Sequence, residues 1–407
     1  MERLIITRWK GRLLTALVSG KRAVQLTLEP PEEESLLNHI YIGKVQTVVA
    51  NLNAAFVELK EGQNGYLSLA ENKPLILNRQ GAGKLRPGDE ILVQVERDSV
   101  KTKAPVLTCN LSFTGRLCVL TSGRPGINFS SKLKGSSIRE RLRPALAEEL
   151  KSLGLERCGV IVRTNAQDQE ASEVCRELKS LASQYLTLLE TAGHRTCYTC
   201  LYQGLPSYIA SLRDAGRGRL EAIVTDQPDC FEAIKQYLEA SQPEDLERLS
   251  IYSDPLVSLL KIYSLEKAVS EALGKRVWLK SGGYLVIEYT EAMTVIDVNT
   301  GKYSGRKTQQ ETILKINLEA AREIAWQLRL RNLSGIILVD FIDLEREEDS
   351  RRLMEELSQA VAGDPVKTSV VDMTRLGLVE LTRKKVLRPL HEQIEGTESM
   401  GEGAGAR

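Results

Sequence analysis

Aromatic side chains are scarce in this chain, at 5% of 407 residues, and histidine is scarcer, with three. His39, His194 and His391 are too few and too scattered to build an imidazole metal centre. Seven cysteines, an odd number in a long chain, argue against a disulfide framework. Cys197-Tyr198-Thr199-Cys200 is a C-x-x-C, but no second pair follows and the last cysteine is Cys230. Cys197, Cys200 and His194 offer only a partial ligand set and read as incidental thiols; structural zinc is not expected. No stretch is long and apolar enough to span a bilayer, and Met1-Glu2-Arg3-Leu4 does not open a signal peptide, so a cytoplasmic protein is expected. A dominant charge is missing too: 55 Lys plus Arg against 54 Asp plus Glu leave +1. Any nucleic-acid site must therefore come from local clustering, at Arg139 to Arg143, Arg213 to Arg219, Lys302 to Lys307 or Arg383 to Arg388.

What is present is more specific. Thr294-Val295-Ile296-Asp297-Val298-Asn299-Thr300-Gly301 and Ile336-Ile337-Leu338-Val339-Asp340-Phe341-Ile342-Asp343 are apolar runs that each deliver an acidic residue. Aspartate is disfavoured on strands, so its presence there asks for a reason. Between the runs, Ile313, Ile316, Ala320, Ile324 and Leu328 recur at helical spacing, predicting a helix over 308–331. Strand, helix, strand over this length is a crossover that places its strands parallel. Asp297 and Asp340 then emerge at the same sheet edge, where open α/β sheets bind ligands. Two hard oxygen donors there suit Mg²⁺, with Mn²⁺ as a substitute, which activates water and neutralises phosphate charge. The loop Gly301-Lys302-Tyr303-Ser304-Gly305-Arg306-Lys307 sets glycines and cations beside them, as a bound phosphodiester requires. The plainer alternative is two loop caps and a solvated turn.

The N-terminal half reads as β-rich. Short strands flank Ser19-Gly20-Lys21, and Pro30-Pro31 with Glu32 to Glu34 forms a linker. Ile42 to Val45, Ala54 to Leu59, Gly65 to Leu69 and Gly88 to Val95 are short strands with turn signals, a small barrel for which an OB-fold is the leading candidate. OB-folds stack unpaired bases on aromatics, which nominates Phe56 and Tyr66; Phe56 reads equally well as core. Lys44 and Lys103 are candidate phosphate contacts. A Gly/Ser-rich loop over 123–135 precedes a charged helix, 137–153, and a strand, 159–165, whose Arg163-Thr164 offers a guanidinium fork and a hydroxyl to a phosphate.

The segment from Ala292 to Leu344 resembles the catalytic core of the ribonuclease E/G family: Asp-x-Asn-x-Gly at 297–301, Asn317-Leu318-Glu319-Ala320-Ala321, Gln327-Leu328-Arg329-Leu330-Arg331 and Val339-Asp340-Phe341-Ile342-Asp343. Thr374 to Arg383 extends the match, as do Asn38 to Leu67 and Val160 to Thr164, so the resemblance covers nearly the whole chain. It implies an α/β multidomain fold: an RNase H-like structural subdomain (1–35 plus 209–272) with an inserted OB-fold barrel (36–118) and 5′-sensor region (119–208), then a DNase I-like catalytic subdomain (273–390) and a disordered tail (391–407). It implies an endoribonuclease acting on single-stranded, A/U-rich RNA in ribosomal RNA maturation or messenger RNA decay, leaving 5′-phosphate and 3′-hydroxyl ends. Asp297 and Asp340 would bind Mg²⁺, Asn299 would orient the scissile phosphate, and Lys302 and Arg306 would contact RNA. Arg163 and Thr164 match the family's pocket for an RNA 5′-monophosphate; Lys132 and Lys367 match basic positions of it, Lys367 where an Arg is common. Longer members carry a zinc link after the catalytic domain; its cysteines are absent here, so any homo-oligomer is expected to use a zinc-independent surface. A non-catalytic RNA-binding factor and a phosphoesterase acting on another phosphodiester are the alternatives.

Overall fold

The computed structural model describes residues 2–30, 35–79, 83–98, 104–133, 135–215, 220–301 and 309–395. They form two units: residues 1–30 with 218–407, and residues 31–217 between them in sequence. The first unit opens with a meander, β1 (Glu2–Trp9), β2 (Arg12–Ser19) and β3 (Arg22–Leu28), whose turn sits at Gly20-Lys21 as the sequence predicts.

The second unit begins with β4 (Ile40–Val49), β5 (Ala54–Lys60), β6 (Gln63–Ser68), β7 (Glu90–Arg97) and β8 (Val106–Thr108). Their pairing runs β4-β5-β6-β8-β7 and returns to β4, a closed five-stranded barrel of OB type, with β6 and β8 parallel and the other pairs antiparallel. Alternation fills it: Val45, Ala55, Val57, Leu59, Leu67, Val93 and Leu107 point inward. The fifth strand, only three residues long, had no sequence signal. Next come β9 (Ser112–Thr114), β10 (Cys118–Thr121), β11 (Gly126–Phe129), α1 (Ser137–Ser152), β12 (Gly159–Val162), α2 (Ala171–Ala192), β13 (Cys200–Tyr202) and α3 (Ser207–Asp214). Strands β11-β12-β10-β9 make a small sheet on which α1 and α2 bury Leu142, Leu146, Val174 and Leu178. The stretch 123–135, read from sequence as a loop, contains β11, which pairs parallel with β12.

The first unit resumes with β14 (Leu220–Thr225), α4 (Pro228–Ser241), β15 (Leu249–Ile251), α5 (Leu259–Ile262) and α6 (Leu265–Leu273). β14 pairs parallel with β1, giving the five-stranded sheet β15-β14-β1-β2-β3. Then follow β16 (Arg276–Trp278), β17 (Tyr284–Tyr289), β18 (Met293–Asn299), α7 (Gln309–Leu330), β19 (Gly335–Asp340), α8 (Glu347–Ala362), β20 (Thr368–Met373), β21 (Leu378–Arg383) and α9 (Leu390–Glu395). The sheet β16-β17-β18-β19-β21-β20 is covered on one face by α7 and α8; Ile296, Val298, Ile337 and Val339 meet Ile316, Ala320, Ile324, Leu353 and Leu357 there. Each buried aliphatic side chain contributes roughly 1.5–3 kcal/mol.

Two sequence expectations change, and a further arginine is spent inside the fold. Arg383, placed in a candidate nucleic-acid cluster, is buried in an ion pair with Asp364 at 2.7 Å and donates to Asn332. Arg331 is 1% exposed and spends its guanidinium on Gln327 and the Gly274 and Glu271 carbonyls. Residues 391–395, assigned to a disordered tail, are helical; 396–407 lie outside the described residues. No helix among the described residues is long and apolar enough to cross a membrane.

Candidate active site

The crossover places β18 and β19 parallel, in a register that pairs Asp297 directly with Asp340. Adjacent strands run about 4.8 Å apart, so the two carboxylates share one site. Both are exposed, because odd residues of β18 and even residues of β19 face away from the helices while Ile296, Val298, Ile337 and Val339 face them. Among the described residues neither carboxylate has an ion-pair partner, and no third His, Cys, Asp or Glu joins them. Like charges directly opposite on neighbouring strands repel. The donor set fits Mg²⁺, which takes one or two carboxylates and completes its shell with water and substrate oxygens.

Asn299 lies two residues further along β18, and its Nδ2 donates to Asp297 Oδ2 at 2.7 Å. The amide thus fixes the carboxylate, and its other N–H and its carbonyl remain chemically available. Beyond it the chain turns at Gly301, with φ +61°; a Cβ there would sit 2.2 Å from the Gly282 carbonyl oxygen. Only glycine fits that approach. Lys302 and Arg306, like Lys103, lie outside the described residues.

The helix α7 holds both margins of the site, a role the sequence did not disclose. Buried Asn317 accepts from the Ile342 N–H and donates to the Ile342 carbonyl at 2.7 Å, which fixes the chain as it leaves Asp340. Glu319 accepts from the N–H groups of Lys280 and Ser281, anchoring the β16–β17 turn. That hairpin carries Trp278 and Tyr284. With Gly282, Asn299, Thr300 and Gly301 they line a cleft of about 650 Å³. Neither aromatic was singled out in the sequence; an aromatic on each side of a Lys-Ser-Gly-Gly turn was the available signal.

On the barrel, Phe56 and Tyr66 face outward opposite one another on β5 and β6, ring centroids 6.0 Å apart and interplanar angle 71°. The inward neighbours Ala55, Val57 and Leu67 are fully buried, so alternation places Phe56 outside the core. Exposed Lys44 lies on β4 opposite Glu58. Glu58 accepts from Tyr198 at 2.6 Å; that bond, then the Gly62 N–H, holds its carboxyl below the usual range.

In the small sheet, β11 and β12 end side by side, bringing Lys132 and Arg163-Thr164 to one end of two parallel strands. Thr164 is exposed and Lys132 half-buried. Arg163 donates to the Gly115 carbonyl at 2.7 Å and to Asp214 at 2.8 Å. Burial would raise the Asp214 carboxyl, but Arg163 and Arg213 outweigh it and hold it low. Lys367 is exposed just before β20, in the other unit. Cys197 and Cys200 are half-buried free thiols, both pushed up by burial.

The family model described as Ribonuclease E/G family matches residues 112–386. The chain is 36% identical to Ribonuclease E of Nostoc sp. (strain PCC 7120) over 369 residues, 89% of this chain and 53% of that protein. It is 35% identical to Ribonuclease E of Synechocystis sp. (strain PCC 6803) over 361 residues, 87% of this chain and 53% of that protein. With Ribonuclease G of Escherichia coli (strain K12) it shares 33% identity over 395 residues, 94% of this chain and 79% of that protein. The chain thus spans about half the length of the two ribonucleases E.

Proposed function

This chain belongs to the ribonuclease E/G family, and on that premise we propose that it is an endoribonuclease of RNA processing and decay. It cuts single-stranded, A/U-rich RNA by Mg²⁺-dependent hydrolysis, leaves 5′-phosphate and 3′-hydroxyl ends, and favours substrates with a 5′-monophosphate. The observation that carries this reading is the in-register pair Asp297–Asp340, exposed and without a cation partner among the described residues.

Asp297 and Asp340 would hold the ion through one oxygen or more each. Bound Mg²⁺ supplies an activated water and neutralises charge on the scissile phosphate. Asn299 keeps Asp297 in its orientation and directs its remaining N–H at a phosphate oxygen. Phe56 and Tyr66 stack unpaired bases, with Lys44 as a nearby cation, and Lys302 and Arg306 contact the backbone. Stacking on two rings requires bases released from a duplex, which is the reason for single-strand preference. Arg163, Thr164 and Lys132 are assigned to the 5′-monophosphate, and Arg163 would exchange or share its bond to Asp214 on binding it; Lys367 keeps its assignment from the family resemblance alone. The split sheet β15-β14-β1-β2-β3 supports the RNase H-like reading of its subdomain, and β16 to β21 with α7 and α8 the DNase I-like one.

The test is cleavage of a short 5′-monophosphorylated A/U-rich RNA with Mg²⁺, native protein against Asp297→Asn. Cleavage that disappears in the variant and on chelation is expected. RNA binding without cleavage by the native protein would replace this reading with a non-catalytic RNA-binding factor.

A further inference from the structure

We propose that the cleft between the β16–β17 hairpin and the end of β18 is a binding site for one unpaired nucleobase, that of a nucleotide adjoining the phosphate held at the carboxylate pair. The proposal rests on the reading of the chain as a ribonuclease and adds a base subsite to it.

Trp278 is 64% exposed on an edge strand, an unusual position for the largest apolar side chain. Its ring lies 5.2 Å from that of Tyr284 at 56°, so the two form an open angle rather than a closed stack. The Arg276 guanidinium sits 4.6 Å from the Tyr284 ring and 5.7 Å from the Trp278 ring. Exposed Arg276 and Lys280 flank Trp278 on its own strand and turn. Aromatic faces beside cations are what single-stranded nucleic acid stacks on.

Position supplies the second argument. Strand pairing sets Trp278 opposite Tyr284, and Tyr284 opposite Asn299. Asn299 is bonded to Asp297, so the aromatic wall begins about one strand spacing, roughly 5 Å, from the residue that fixes the carboxylate. Gly282, Thr300 and Gly301 complete the lining beside the rings, and the peptide groups of the two glycines can pair with a base edge. A Cβ at Gly283 would lie 2.8 Å from the Asn299 carbonyl, so the hairpin and the strand end are in direct contact.

The test compares native protein, Trp278→Ala and Trp278→Phe on one RNA and on versions with an abasic ribose at successive positions around the cleavage point. For the native protein, one abasic position is expected to slow cleavage about 10- to 100-fold. Trp278→Ala should slow cleavage of intact RNA by a similar factor and lose nothing more at that position; Trp278→Phe should recover most of the rate. Full activity of Trp278→Ala, or an abasic effect unchanged in that variant, would overturn the proposal. A binding arm separates this failure from that of the ribonuclease reading. Among RNAs carrying 2-aminopurine at successive positions, one should lose emission on native protein and keep it on Trp278→Ala, whether or not cleavage occurs; equal emission with both proteins at every position overturns the base site alone.

Discussion

Asp297 and Asp340, the proposed metal ligands, weaken the sheet that carries them. Two like charges opposite one another on neighbouring strands cost on the order of 0.2–1 kcal/mol. Asp340→Asn should therefore melt no lower than the native protein without metal, and slightly higher at low salt. Mg²⁺ at about ten times its Kd should stabilise the native protein by about 1.4 kcal/mol, and that gain should vanish in the variant. Calorimetry with and without Mg²⁺ reads both. A metal-free variant less stable than the native protein would mean the carboxylates are bonded in some other way. The two aspartates were legible in sequence because a charged residue ending an apolar run is conspicuous. Arg331 and Arg383 were not: their burial depends on Gln327, Asp364 and carbonyls reached only after folding, and a basic residue in isolation looks like surface.

At the scale of elements, the helix α7 is the part that the sequence described best and explained least. Its apolar periodicity was plain, but Asn317 and Glu319 gave no sign that they hold the chain after Asp340 and the β16–β17 turn. Asn317→Ala leaves the Ile342 N–H and carbonyl without partners, which costs about 1–3 kcal/mol. It should lower kcat more than Trp278→Phe does, and chemical denaturation gives the stability change directly. A second element-level tie joins residue 198 to strand β5, through the Tyr198 hydroxyl on Glu58. The bond pushes the Tyr198 phenol up to about 12. A raised phenol contributes stability that is complete below its ordinary value near 10 and is lost as pH rises from about 10 to about 12. Glu58, held low, contributes stability that is present above the ordinary carboxylate range and fades as pH falls through its lowered value. Ultraviolet-difference titration should show one late tyrosine moving toward about 10 in Glu58→Gln. Tyr41, pushed up to about 12 by burial, should stay. A native tyrosine profile unchanged in the variant would rule out the bond.

For the whole molecule, a net charge of +1 predicts binding that depends little on long-range attraction. With a handful of phosphate contacts, RNA affinity should fall with salt at a log–log slope of about −2 to −3.5, near −0.7 per contact. A slope steeper than about −5 would assign the strand to a charged surface instead of the aromatic faces. The general plan was readable in the chain: a barrel of short strands early, a parallel crossover late. The insertion of residues 31–217 into a sheet assembled from residues 2–28 and 220–251 was not readable from local pattern, because pairing between β1 and β14 joins segments far apart in sequence. It followed only from resemblance.

The pairing of β18 with β19 has a last consequence. Strand register changes in whole residues, so the Asp297–Asp340 separation behaves as a switch with discrete detents, not as a dial. A slip of one residue turns one aspartate into the apolar layer; a slip of two parts the carboxylates by roughly 6.6 Å along the strand. Random variants of the crossover helix α7 should accordingly fall into two populations, nearly full metal binding or none, with few in between.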